Sequence, residues 1–104
     1  MGYYPTPPIV SERIARALVR QRAGLIRTID PCCGEGTALC AVTGSLGEPV
    51  ERYGVELNHA RAETARKVLT RVLRTDLRST RVANHAFSMV LLNPPLSQRF
   101  ILYV

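Results

Sequence analysis

Four residues able to bind a polar ligand stand where short apolar runs stop: Asp30, Glu56, Asp76 and Asn93. Each alone reads equally well as a turn former or a helix N-cap. Three acids and an amide at four successive strand ends exceed what turn formation requires. The first lies in Asp30-Pro31-Cys32-Cys33-Gly34-Glu35-Gly36-Thr37, where two glycines allow positive φ and close approach of a ligand to the backbone. A helix starting there would offer free N–H groups to a carboxylate or phosphate. A dinucleotide fingerprint needs a third glycine, and position 39 is Leu, which argues against NAD or FAD. Glu56 follows Asp30 by 26 residues, against a usual spacing of about 20. The 44–49 loop accounts for the excess. An acid there accepts hydrogen bonds from the two hydroxyls of a ribose. Asn93 is followed by Pro94 and Pro95, which lock the backbone. The Asn93 side chain and the Pro94 carbonyl then form two fixed acceptors, a match for the two N–H bonds of an exocyclic amine. Pro-Pro also terminates any strand, so the motif alone leaves both readings open.

Those residues need a scaffold that brings strand ends together. Residues 1–10, with Pro5, Pro7 and Pro8, read as an extended arm. Ser11 reads as the N-cap of a helix over 12–23, with Ile14, Ala15, Ala17, Leu18 and Val19 on its apolar stripe and Gly24 as its C-cap. LIRTID is a buried strand ending at Asp30. A turn and a second helix follow, then RYGVE, a strand closing at Glu56. Asn58 caps a third helix reaching about Val72, with Ala62, Ala65, Val68 and Leu69 on its apolar face. A brief strand-like passage reaches Asp76, polar residues 78–86 form a loop, and FSMVLL is a fourth strand. Strands alternating with helices predict an α/β fold: a Rossmann-like, doubly wound parallel sheet.

Composition narrows the function classes. The 104 residues suit one domain, and 46% hydrophobic content supports a packed core. No apolar run approaches the roughly 18–20 residues that cross a bilayer. The first eight residues lack the basic and apolar regions of a secretory signal. Three cysteines, two of them adjacent (Cys32, Cys33), with no CxxC pair and two histidines, speak against a zinc site. They fit a reducing cytoplasm, where cysteines act as small, semi-apolar residues. Net charge is +6, from 14 Lys+Arg against 8 Asp+Glu, and Lys67 is the single lysine. An arginine-rich surface attracts phosphate, and a codon bias toward arginine accounts for the same composition.

The ordered set DPCCGEGT, GVELN, TDL and NPPL resembles the class I S-adenosylmethionine (SAM)-dependent methyltransferases. The NPP element is similar to that of the amino methyltransferases, above all those acting on N6 of adenine in DNA. The arm YYPTPP and the helix after it match as well. The resemblance runs from about Tyr3 to Pro95. It implies a partial class I fold with strand order 3-2-1-4, in which residues 1–104 form a single SAM-binding domain and 97–104 a tail outside the family pattern. It implies that Thr6 meets the methionine end of SAM, and that Asp30, Cys32, Gly34 and Gly36 hold the methionine moiety. Glu56 would bind the ribose and Leu57 pack on the adenine, while Asp76, with Leu77 beside it, accepts from the adenine amino group. Asn93, Pro94, Pro95 and Leu96 would form the catalytic motif, with Asn93 also facing the cofactor.

Two departures qualify the resemblance. The family usually places an aromatic residue after Asn-Pro-Pro to stack on the flipped base. Leu96 stands there, and base–aromatic stacking contributes about 1–3 kcal/mol. The chain also covers only about half of the family's domain. Together these lead to an expectation of weak or absent methyl transfer by this chain alone. A non-catalytic SAM-binding or protein-binding regulatory module is the alternative, and a nucleic-acid-binding domain using its arginines alone is a third. Strand four, Phe87 to Leu92, is expected at an open edge, so pairing through it or through the β-prone tail predicts a homodimer; the alternative is a tail that folds back as a fifth strand beside strand four.

Overall fold

The computed structural model describes residues 5–18, 23–76, 86–92 and the backbone of 101–103. Helix α1 spans Pro8–Ala17, β1 Ile26–Asp30, α2 Thr37–Thr43 with a 3-10 turn over Gly44–Leu46, and β2 Val50–Val55. Then come α3 over His59–Arg66, β3 over Arg71–Leu73, β4 over Met89–Leu92 and β5 over Ile101–Tyr103. The sheet order is β3-β2-β1-β4-β5. The first four strands are parallel in the expected order 3-2-1-4, and β5 runs antiparallel to β4. Among the described residues no helix is long and apolar enough to cross a membrane.

The register shows where the core lies. Thr28 pairs with Arg52 and Met89, and Asp30 pairs with Gly54, which in turn pairs with Val72. Side chains alternate between faces along a strand, so these residues share one face. On it Val72, Met89 and Leu91 pack with Leu39 and Val42 of α2 and Ala62 and Ala65 of α3. Ile14 of α1 and Leu18, just past its end, pack against the cluster. All three described helices therefore cover the same side, one half of the doubly wound plan.

Several expected boundaries move. The extended arm ends at Pro7, because α1 begins at Pro8. Proline is well placed in a first helical turn: it lacks only an N–H that has no helical partner there, and its φ suits the helix. Pro7 is the N-cap, and its carbonyl accepts from the N–H groups of Val10 and Ser11 at 3.0 and 3.2 Å. Ser11 is thus not the cap but a buried residue inside α1. The helix stops at Ala17, with Leu18 already extended, so Gly24, although at φ +98°, does not cap it. α3 ends at Arg66, and Val72 belongs to β3, where it still reaches the same core. β3 ends at Leu73, three residues short of Asp76.

Strand four is not an open edge. Val90, Leu91 and Leu92 pair with Tyr103, Leu102 and Ile101 of the same chain. Joining β4 to a second copy across a two-fold axis would require displacing β5.

Candidate functional site

The strand order reverses at β1, and the chain returns to place β4 on its other side. In open parallel sheets ligands bind outside the carboxyl ends of the strands at such a reversal. Asp30 is the last residue of β1 and is 2% exposed. Its Oδ1 accepts the N–H of Cys32 at 3.0 Å, which bends the chain out of the strand. Oδ2 has no hydrogen-bond partner among the described residues. The Cys33 N–H then donates to the Val55 carbonyl of β2 at 3.0 Å, and the Gly36 N–H donates to the Cys33 carbonyl at 2.9 Å. Gly34 and Gly36 take φ of +57° and +87°, the left-handed region the tight return requires. Both are buried, and α2 starts immediately after them.

Glu56 follows β2 directly and is held at that height by its own N–H, which donates to the Leu73 carbonyl at 2.9 Å. Its side chain is almost buried. Oε2 accepts from the Asn58 N–H at 2.8 Å and faces the Arg61 guanidinium at 3.4 Å. Asn58 caps α3 as expected, its side chain accepting from the Arg61 N–H at 3.0 Å. Glu56, Asn58 and Arg61 thus form one linked turn, and Oε1 of Glu56 has no partner among the described residues.

The electrostatics of this corner are unusual for a basic chain. Burial pushes the Asp30 carboxyl up to about 7; the Cys32 N–H partly opposes this, and the nearby Glu56 charge adds to it. The Cys32 thiol is pushed up by burial and then by the charges of Asp30, Glu56 and Asp76. All three acids thus act on that thiol through their charge. Cys33 is pushed up to about 12 by burial and the same two acids, Asp30 and Glu56. Both shifts favour the protonated sulfur near neutrality, the reverse of what activates a thiolate nucleophile.

Of the expected site residues, the structure brings Asp30, Cys32, Gly34, Gly36, Glu56 and Asp76 to one end of the sheet. Leu57 sits on the rim, 62% exposed, as a surface for a flat apolar ligand would. Thr6 is half-buried just ahead of α1. Leu77, Asn93, Pro94, Pro95 and Leu96 lie outside the described residues. Sequence reasoning missed two contributors. Arg61 is the counter-charge of Glu56, and its position three residues into the Asn58-capped turn was the available signal. Gly54 sits beneath the turn; a Cβ there would lie 2.5 Å from Cys33 Sγ.

Residues 1–100 match the model of DUF6094, an uncharacterised methyltransferase family. No curated protein matches the sequence. Solved structures share the fold. A Listeria monocytogenes protein assigned to the class I SAM-dependent methyltransferases superposes with a TM-score of 0.62 at 21% identity, covering 86% of this chain and 31% of its own. The plantazolicin methyltransferase BpumL in complex with SAH gives 0.53 at 16% identity, covering 82% and 32%. The same enzyme with a monoazolic desmethylPZN analog and SAH gives 0.58 at 14%, covering 88% and 36%. This chain spans about a third of the length of these structural neighbours.

Proposed function

Because the chain belongs to an uncharacterised methyltransferase family, we propose that it binds SAM at the carboxyl ends of β1 and β2 and serves methyl transfer to an exocyclic amine. The observation that carries this is a pair of buried carboxylates, Asp30 and Glu56, at neighbouring strand ends across a turn of two left-handed glycines. Each keeps one oxygen without a partner among the described residues. Those two acceptor oxygens fit a ligand with a positive charge and ribose hydroxyls. Glu56 Oε1 accepts from the ribose, Leu57 offers its exposed face to the adenine, and Asp76 with Leu77 receives the adenine amino group. Asp30, Cys32 and the glycine turn hold the methionine portion, with Thr6 toward its carboxylate. When bound, SAM supplies a methyl group activated on a sulfonium.

The acceptor we propose is N6 of adenine in DNA. Support comes from the order of NPPL after the three cofactor motifs and from the net charge of +6. Asn93 and the Pro94 carbonyl accept the two N–H bonds of the amine, so orientation does the catalytic work and no strong base is needed. Leu96 offers no aromatic face for a flipped base, so turnover by this chain on its own is slow. The same residue favours the second reading, a SAM-binding module that regulates and does not catalyse.

Calorimetric titration with SAM tests the cofactor site. Glu56→Ala weakens binding by about 1–3 kcal/mol, the usual effect of removing a charged hydrogen-bond acceptor. Equal binding by the variant and the parent overturns the ribose assignment. A radiolabelled methyl assay tests the acceptor, using duplex DNA with adenine against the same duplex bearing N6-methyladenine. Incorporation confined to the unmodified duplex supports adenine N6; equal incorporation in both, or transfer only to non-nucleic acceptors, overturns it.

A further inference from the structure

We infer that Gly54 and Cys33 are positioning residues: together they form a spacer that sets the height of the 34–36 turn over the ends of β1 and β2. The inference rests on reading that turn as the SAM cradle. Gly54 is the register partner of Asp30, so it lies directly beside the base of the turn. A Cβ at position 54 would come within 2.5 Å of Cys33 Sγ, 2.9 Å of Cys33 Cβ and 2.8 Å of Leu69 Cδ1. Contacts below about 3 Å between carbon or sulfur atoms are repulsive, so something must shift. Leu69 Cδ1 is the end of a flexible side chain and can turn away. Cys33 cannot move alone, because its N–H is tied to Val55 and its carbonyl to Gly36. Pressure on it is transmitted to the glycine turn.

Space, not backbone conformation, is what Gly54 provides. It sits within β2, and its φ is outside the left-handed region that Gly34 and Gly36 occupy. Cys33 is matched to that space. Its sulfur is buried and contacts the Gly34 carbonyl at 3.5 Å. An alanine there leaves a gap, whereas a valine overfills it. The second glycine of the turn is held from the same side, since a Cβ on Gly36 would lie 3.1 Å from Leu69 Cγ and 3.1 Å from Val68 Cγ2. Leu69 therefore backs both Gly36 and Gly54.

A double-mutant cycle on the whole chain tests the spacer. The variants are Gly54→Ala, Cys33→Gly and the pair combined, read by SAM titration and by the amide NMR shifts of Gly34 and Gly36. Gly54→Ala is expected to move both amides and to weaken SAM roughly ten- to a hundredfold, the scale of losing one or two polar contacts to a displaced turn. Cys33→Gly in the Gly54→Ala background recovers most of the affinity and returns the amides toward their parental positions. A purely structural role would lower the melting temperature of Gly54→Ala while leaving affinity and turn amides unchanged at temperatures where it is folded; that result overturns the inference. A double variant no better than Gly54→Ala overturns it as well. If the parent binds no SAM, the cofactor reading fails, and the amide shifts alone decide the spacer. If Gly54→Ala does not fold, Cys33→Val presses the same contact from the other side with Gly54 intact, and unmoved turn amides in that variant overturn the inference.

Discussion

Charges at the two ends of the sheet are handled in opposite ways. Near the amino ends of β1 and β2, each charge meets its complement. Glu51 Oε1 accepts from the Tyr53 hydroxyl at 2.8 Å and from Arg27 Nε at 3.0 Å, and these bonds, that from Tyr53 first, hold its carboxyl below its ordinary range. Tyr53 is braced by Phe87 in an edge-to-face contact with ring centres 5.3 Å apart. Arg52 donates to the Thr43 hydroxyl at 2.7 Å and faces Glu48 at 3.6 Å. At the carboxyl ends, burial above all, and the nearby Glu56 charge to a lesser degree, push the Asp30 carboxyl up. Arg61 is the basic partner recorded for Glu56. An end with matched charges is self-sufficient. An end that buries an acid carries a desolvation penalty, and such perturbed groups mark candidate functional sites.

Backbone at the carboxyl end should tolerate change least. Gly36→Ala places an ordinary residue at φ +87°, and its Cβ meets Val68 and Leu69 at 3.1 Å. A stability loss of about 1–2 kcal/mol follows from the left-handed backbone alone, visible as a lower denaturant midpoint. Loss of SAM binding accompanies it. An unchanged midpoint would mean that the turn is not pinned as described. At the matched end, Glu51→Gln keeps a hydrogen-bond acceptor for Tyr53 and sits in solvent-screened surroundings. It should leave SAM affinity unaltered and shift the melting temperature little. A marked fall in SAM affinity would show that the two ends are coupled and would break the contrast.

Much of this contrast was legible in the sequence, for identifiable reasons. Asp30 and Glu56 each close a β-branched or aromatic run, so strand propensity and a terminating acid coincide there. Asn58 stands one residue before a helical pattern, and its cap forms as read. The start of α1 was not legible, because three prolines read as a barrier until the first turn supplies positions where proline fits. Val72 was assigned to the wrong element because an apolar residue at helical spacing after Leu69 looks the same whether the helix continues or a strand begins. The pairing of the tail with β4 was weighed only as an alternative, since antiparallel return depends on a turn whose geometry no local pattern announced. Gly54 opens GVELN, and nothing local there marks a role for it. Its reason is a contact with Cys33, 21 positions away in sequence, which no local spacing encodes.

Asp30 gives the most direct test. Its carboxyl lies at about 7 when folded, against 3.8 for an unperturbed group. Between those values the folded chain holds a proton that the unfolded chain has lost. The stabilising contribution is therefore complete at low pH and disappears as pH rises through about 7. Asp30→Asn should melt above the parent at about pH 8, with the difference closing toward about pH 4. In the proposed cofactor site SAM favours the opposite state, because its positive charge would be matched by the ionised carboxylate. Titration of SAM into the parent and Asp30→Asn from about pH 5.5 to about 7.5 joins the two effects. Parental affinity is expected to strengthen with pH across that range, and Asp30→Asn to bind more weakly with a flatter profile. Parental affinity that is absent, or that does not change with pH while Asp30→Asn binds equally well, would contradict that expectation.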